Sequence, residues 1–406
     1  MKATMTSIHH HNTVLAIILM ASFLFTVPLA SAGAVESLTI PILYLHQTID
    51  RPPVLSNIHV PPKDSGIKGA ELAIHDSNTT GRFLNHHYQL QYISANDLKT
   101  AQQQTKQWLQ QGHQLILAHL PAKTLVSLAN TPGIQGKAIL INIAAKDDEL
   151  RTQHCTTGLL HVIPSRAMLA DALAQFLVVK RWRKWLLIRG GMPEDKAFAK
   201  AIKRSAKRFG GKLLEEKHWR FDTDLRRTAQ QELPLFTQTD DYDITLVADE
   251  AGDVGEYIPY NTWRPRPVAG TQGLTPLGWH AVVEQWGAIQ LQNRFRSHAQ
   301  RPMNDIDYAA WVAVRAIAEA VTRTGDQDAS TLYSYLFSEH YELAAFKGRK
   351  LSFRPWNGQL RQPIPLVHPR ALVSQSPQPG FLHPHSELDT LGFDKAEVSC
   401  HYRLTL

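Results

Sequence analysis

Short apolar runs alternate with longer amphipathic stretches along most of the chain, and this alternation indicates the fold class. Leu38 to His46 and Tyr88 to Ile93 are compact apolar runs that predict strands. Between them Ile67, Ala70 and Ile74 recur at helical spacing, which predicts a helix within 65–81. Asp64 or Ser65 is placed to cap its start, while Asn78 and Gly81 tolerate a left-handed stop. Strand, helix and strand in that order make a parallel pair with a right-handed crossover. The connection 47–64 then lies at the carboxyl edge of the sheet, where open α/β sheets bind ligands.

The pattern repeats. Helices are predicted at 98–110 and 123–129, and strands at 115–118, 138–143 and 159–163. A second set follows from Ser165: a helix at 166–179, a strand at 185–188, a helix at 193–209 and strands at 212–217 and 242–247. Short buried strands alternating with helices predict parallel sheets flanked by helices. Val268 to Gly270 reads as a strand returning to the first lobe, followed by helices over 278–298 and 305–324 and strand-like text over 346–365. The expected organisation is α/β and two-lobed, with 33–160 and about 266–325 in one lobe and about 161–265 and 326–406 in the other. Several crossings between them would make a multi-stranded hinge. Ahead of both lobes, residues 1–32 combine Lys2, an apolar run from Val14 to Phe25 and Ala30-Ser31-Ala32, the plan of a secretory signal peptide. The mature chain is therefore expected in the periplasm, without a membrane span.

Two stretches resemble known proteins. Gly69, Ala70, Leu72, Ala73, Ile74, Asp76, Asn78 and Gly81 form a run similar to the first helix of type I periplasmic solute-binding proteins of the branched-chain amino-acid importer class. Over about 38–400, segments such as 163–190, 234–260, 346–364 and 385–394 resemble the ABC-importer substrate-binding proteins associated with PQQ-dependent alcohol dehydrogenase systems. The resemblance implies a type I periplasmic-binding-protein fold, ABC permease and ATPase partners, and a small ligand held between lobes. Its wider setting includes lanthanide-dependent alcohol oxidation, so a lanthanide or calcium ion is one implied cargo and no resident cofactor is required. PQQ or another small organic anion is the alternative cargo, and a periplasmic sensor or accessory protein the alternative role.

Composition narrows the chemistry. The formal net charge is +7 without a basic block of the kind that binds nucleic acid, so the charge reads as solvation. No nucleophile elbow, zinc-protease motif or phosphate loop occurs, and an enzyme is not expected. The two cysteines, Cys155 and Cys400, are expected to bridge in an oxidising compartment and tie the C-terminal tail to the end of the first lobe. Asp249, Glu250, Asp253 and Glu256 follow an apolar strand on a glycine-containing loop; they either converge on a hard cation or dress a helix start. Asp147, Asp148 and Glu149 follow a first-lobe strand and supply ligands from across the cleft, unless they are surface acids. For an organic ligand the candidates are His46 at the end of the first strand, His119 in a loop that lacks the family's serine and threonine, Arg189, Thr271, Gln272 and Trp279. A planar anion would also call on Trp263 and Arg264.

Overall fold

The computed structural model describes residues 37–49, 61–219, 225–253, 255–400, 402–403 and 405–406. The signal-peptide segment lies outside them. The first half of the chain builds β1 (Leu38–Gln47), α1 (Ile67–Gly81), β2 (His86–Ala95), α2 (Leu98–Gln110), β3 (Leu115–His119), α3 (Ala122–Ala129), β4 (Ile139–Asn142) and β5 (Leu159–His161). These strands form one parallel sheet in the order β2-β1-β3-β4-β5. The inner strands β3 and β4 are apolar on both faces, as a sheet covered by helices on both sides requires.

A second parallel sheet, β7-β6-β8-β9, is built from α4 (Arg166–Val179), β6 (Lys184–Arg189), α5 (Pro193–Phe209), β7 (Lys212–His218), α6 (Leu225–Phe236), β8 (Ile244–Ala248) and β9 (Val268–Gly270). In both sheets the strand order reverses beside the first strand, which creates switch points at β1/β3 and β6/β8. The remaining elements are β10 (Thr275–Pro276), α7 (Ala288–Ala299), α8 (Asp305–Thr324), α9 (Ala329–Leu336), β11 (Leu343–Ala344), β12 (Lys350–Phe353), β13 (Leu360–Arg361), β14 (Ile364–His368) and β15 (Ala371–Ser376).

Several expectations are corrected. Val268–Gly270 does not return to the first lobe: Thr245 N donates to Pro267 O and the strand extends the second sheet beside β8. The segment 326–360 belongs with the first lobe, because Leu332, Leu336, Leu351, Phe353 and Leu360 share one core with α8. The helix expected over 278–298 begins only at Ala288, since Trp286 and Gly287 adopt φ of 56° and 80°. Helix α1 starts at Gly66, whose N–H donates to the buried Asp307 carboxylate at 2.7 Å, with no side-chain cap from Asp64 or Ser65. Gly81 stays helical and the left-handed residue is Asn85, at φ 55°. Asn78 instead accepts from Tyr88 N and donates to Tyr88 O, which pins the end of α1 to β2.

The chain passes between the two cores near 163–168, 274–279 and 360–364, and again in the tail between Leu391 and Tyr402. Gln362 Nε2 donates to Val162 O at 2.6 Å, and Leu277 N donates to Pro365 O at 3.1 Å. The crossings are thereby bonded to one another. Cys155 and Cys400 are joined by a disulfide, and Tyr402 donates to Leu159 O, so the tail lies on the first lobe.

Candidate functional site

Parallel strands all end at one edge, so the residues that close β1 and β3 stand side by side. His46 and His119 are in register, with ring centroids 4.7 Å apart. One step back, Tyr44 pairs in register with Tyr92 of β2, and their rings stack at 5.8 Å. The Tyr44 hydroxyl lies 2.8 Å from His119 Nδ1 and the Tyr92 hydroxyl 3.3 Å from His46 Nδ1. Burial lowers the His46 pKa, and burial together with the Asp307 charge lifts that of Tyr44 well above its ordinary value. Tyr92, half of whose surface is exposed, is the outermost ring.

The second switch point carries the charge. Arg189 is in register with Ala248, next to Asp249. Its Nε donates to Glu216 Oε1 at 2.7 Å and its Nη1 to Gly190 O, while Lys203 donates to the other oxygen of Glu216. Thr271 Oγ1 accepts from Asp249 N at 3.1 Å, and Gln272 packs close to Gly255. These positions stand together at the carboxyl ends of β6, β8 and β9.

The acids are bonded to an arginine and to backbone N–H groups of the chain itself. Asp249 accepts from the N–H groups of Asp253 and Gly255 and so closes its own turn. Glu250 accepts from Arg166 Nε and Nη2, at 2.9 and 2.8 Å, and Asp147 lies 3.4 Å from Nη1 of the same guanidinium. Asp148 accepts from Ala167 N and holds the start of α4. Asp195, which sequence reasoning missed, accepts from Met192 N and Glu250 N; burial is the main reason its pKa rises to about 6. The two acidic runs do face each other, but they meet on an arginine. Among the described residues no three carboxylate, imidazole or thiol groups gather to hold a metal ion.

Two candidates are displaced. Trp279 is 1% exposed, stacks flat on Tyr308 at 4.3 Å and donates its backbone N–H to Asp305, so it packs the second crossing and offers no ring face to a ligand. Trp263 N donates to Thr237, and Arg264 and Arg266 reach Asp241. Thr237 and Asp241 lie just ahead of β8, at the amino edge of the sheet and away from Arg189. The rings of Tyr44 and Tyr92 were missed as well. Their signal was the alternation in Tyr88-x-Leu90-x-Tyr92, which places Tyr92 on the face of Tyr44 once the register is known.

Two parallel sheets, bridged by Arg166 between the loops after β4 and β8 and joined by several crossings, make a two-lobed α/β fold of the periplasmic-binding-protein kind. A family model described as periplasmic binding protein matches residues 62–231. The chain is similar in fold to an ABC transporter substrate-binding protein from Sphaerobacter thermophilus, with 15% identity, 87% of this chain and 100% of that one covered, and a TM-score of 0.68. A branched-chain amino-acid ABC transporter periplasmic ligand-binding protein from Burkholderia xenovorans aligns at 15% identity over 83% and 95% of the two chains, with a TM-score of 0.64. A solute-binding protein of an ABC transporter from Rhodopseudomonas palustris, solved with 3,4-dihydroxybenzoic acid, aligns at 12% identity over 81% and 92%, with a TM-score of 0.57. No curated protein matches the sequence.

Proposed function

We propose that the protein is the substrate-binding component of an ABC importer, working in the periplasm and delivering a small solute to a permease and its ATPase. The observation that carries this reading is the pairing of the two carboxyl edges. Asp147, after β4, and Glu250, after β8, share Arg166, so the carboxyl ends of the two sheets are bridged beside the crossings of the hinge. A solute that touches both lobes only when they are closed shifts the population toward closure, and the permease reads the closed form. The matched family and the transporter proteins of similar fold support the same reading.

The finer reading places the protein beside PQQ-dependent alcohol oxidation, on the resemblance over most of its length. In that setting the cargo is a hard cation such as calcium or a lanthanide, or a small organic anion such as PQQ. The engagement of the acids by Arg166 and by backbone N–H groups favours the organic solute. Thermal unfolding of the metal-stripped protein with lanthanum, calcium, PQQ, amino acids and aromatic acids separates the cases. A ligand at a hundredfold excess over its Kd adds about 2.7 kcal/mol of stability. A rise with lanthanum alone returns the cation to first place. Deleting the gene abolishes uptake of the solute identified in this way; intact uptake with altered gene expression makes the protein a sensor and overturns the import reading.

A further inference from the structure

We infer that the C-terminal tail is a taut further crossing, locked by the Cys155–Cys400 disulfide, that limits how far the two lobes turn about the other crossings. This rests on the hinge motion of the solute-binding reading and on no particular solute. The tail has a firm hold on each lobe, and almost no chain lies between the two holds.

The hold on the second lobe begins at Leu391, which is buried in the core shared by α4 and α5. Gly392 donates its N–H to the buried Asp171 carboxylate of α4 at 2.8 Å, and its carbonyl accepts from Arg204 at 3.1 Å and Arg208 at 2.6 Å, both of α5. A Cβ on Gly392, whose φ is 84°, would fall 2.8 Å from Met168 Cγ, so glycine lets the tail pass this close to α4. The Arg204 guanidinium lies 4.1 Å from the centre of the Phe393 ring and donates to both oxygens of Glu397, at 2.7 and 2.9 Å. Asp171 holds both arginines in turn. Two helices of the second lobe thereby grip residues 391–397.

The hold on the first lobe begins two residues later. Ser399 donates its N–H and its hydroxyl to Thr152 O, each at 3.0 Å, and Cys400 is joined to Cys155. The Tyr402 hydroxyl donates to Leu159 O of β5 at 2.8 Å, Arg403 N–H to Thr157 Oγ1 at 3.2 Å, and Tyr333 of α9 to Arg403 O at 3.1 Å. Leu406 packs against the first core.

Val398 alone separates Glu397 from Ser399. Two residues reach at most about 7 Å when fully extended, so the lobes cannot draw apart at this point without breaking a hold. The ion pairs of Arg204 can reform, whereas the disulfide does not let go. Hinge closure turns lobes about a few residues of the connecting segments, and a short crossing fixed at both ends narrows that turn. A narrower range keeps more of the ligand-free population near the closed form and raises apparent affinity by the same factor.

The disulfide spans a sequence separation of 245 residues, so its loss lowers stability whatever the tail does at the hinge. Shape is therefore the readout. Small-angle X-ray scattering compares the ligand-free mature protein with three variants: Cys155→Ser with Cys400→Ser, a Gly-Ser-Gly-Ser insertion between Val398 and Ser399, and Arg166→Met. The insertion adds about 14 Å of reach and leaves the disulfide and both holds in place. The radius of gyration rises in both tail variants, and combining them adds nothing, because a tether cut at one end gains nothing from slack. Should the cysteine pair variant fail to fold, the insertion carries the test alone. An inserted protein that scatters as wild type, beside an Arg166→Met variant that expands, overturns the tether and leaves the hinge motion standing. Unchanged scattering in all three variants overturns the hinge motion and the tether with it.

Discussion

Arg166 shows what one side chain does at the junction of the lobes. It opens α4, its side chain is 6% exposed, and it takes charge from Glu250 of the second lobe and Asp147 of the first. Burial opposes its charge, and the carboxylates of Glu250, Asp147 and Asp148 together more than offset that opposition, so the guanidinium is firmly protonated. Arg166→Met leaves Glu250 half-enclosed without its counter-charge, and the expected loss is about 2 kcal/mol, less than for a fully buried pair because Asp147 and Glu250 reach solvent. Urea unfolding measures it as a fall in midpoint at unchanged slope. A midpoint equal to wild type would mean that Arg166 bridges nothing of consequence.

At the scale of elements, the contact between α1 and α8 sets how α1 sits beside the carboxyl end of β1. Gly69 of α1 faces the backbone of Asp307, the third residue of α8, and a Cβ there would fall inside the Asp307 carbonyl. The close approach lets Asp307 receive the N–H of Gly66 and the Arg301 guanidinium, and so anchors the turn between the β1 loop and α1. Gly69→Ala forces the two helices apart and costs about 3 kcal/mol, the upper part of the range for overpacking, because backbone cannot yield as a side chain can. Its melting temperature is the readout; a variant as stable as wild type would show that the helices slide freely.

For the whole molecule the hinge is the deciding region, and Lys347 lies in it. The side chain is 3% exposed, its Nζ donates to Gln362 Oε1 at 2.6 Å and Pro363 O at 3.1 Å, and it stands 4.9 Å from the centre of the Tyr308 ring. Gln362 in turn holds the first crossing through Val162 O. Burial pushes the Lys347 pKa from 10.5 down to about 7, with Asp305 opposing the shift. The surrounding titratable groups are Asp305, paired with Lys146; Tyr308, raised by burial; and His280, lowered by burial. Between about 7 and 10.5 the unfolded chain holds more protons than the folded one, so stability rises with pH across that window. The slope is at most about 1.4 kcal/mol per pH unit. Lys347→Met removes this rise, and denaturant midpoints near neutral pH and about two units higher compare the two proteins. An unchanged rise in the variant would locate the titration elsewhere. The period of the apolar positions, a local property, determined the strands and helices, the parallel order and the edge where His46, His119 and Arg189 emerge. Register and long-range packing decided the rest. They set Tyr92 beside Tyr44, brought the acidic runs onto Arg166, carried Arg264 to the far edge and gave 326–360 to the first lobe. Such outcomes depend on which partner a buried polar or apolar group reaches across the chain, and a sequence specifies that partner only through the completed fold.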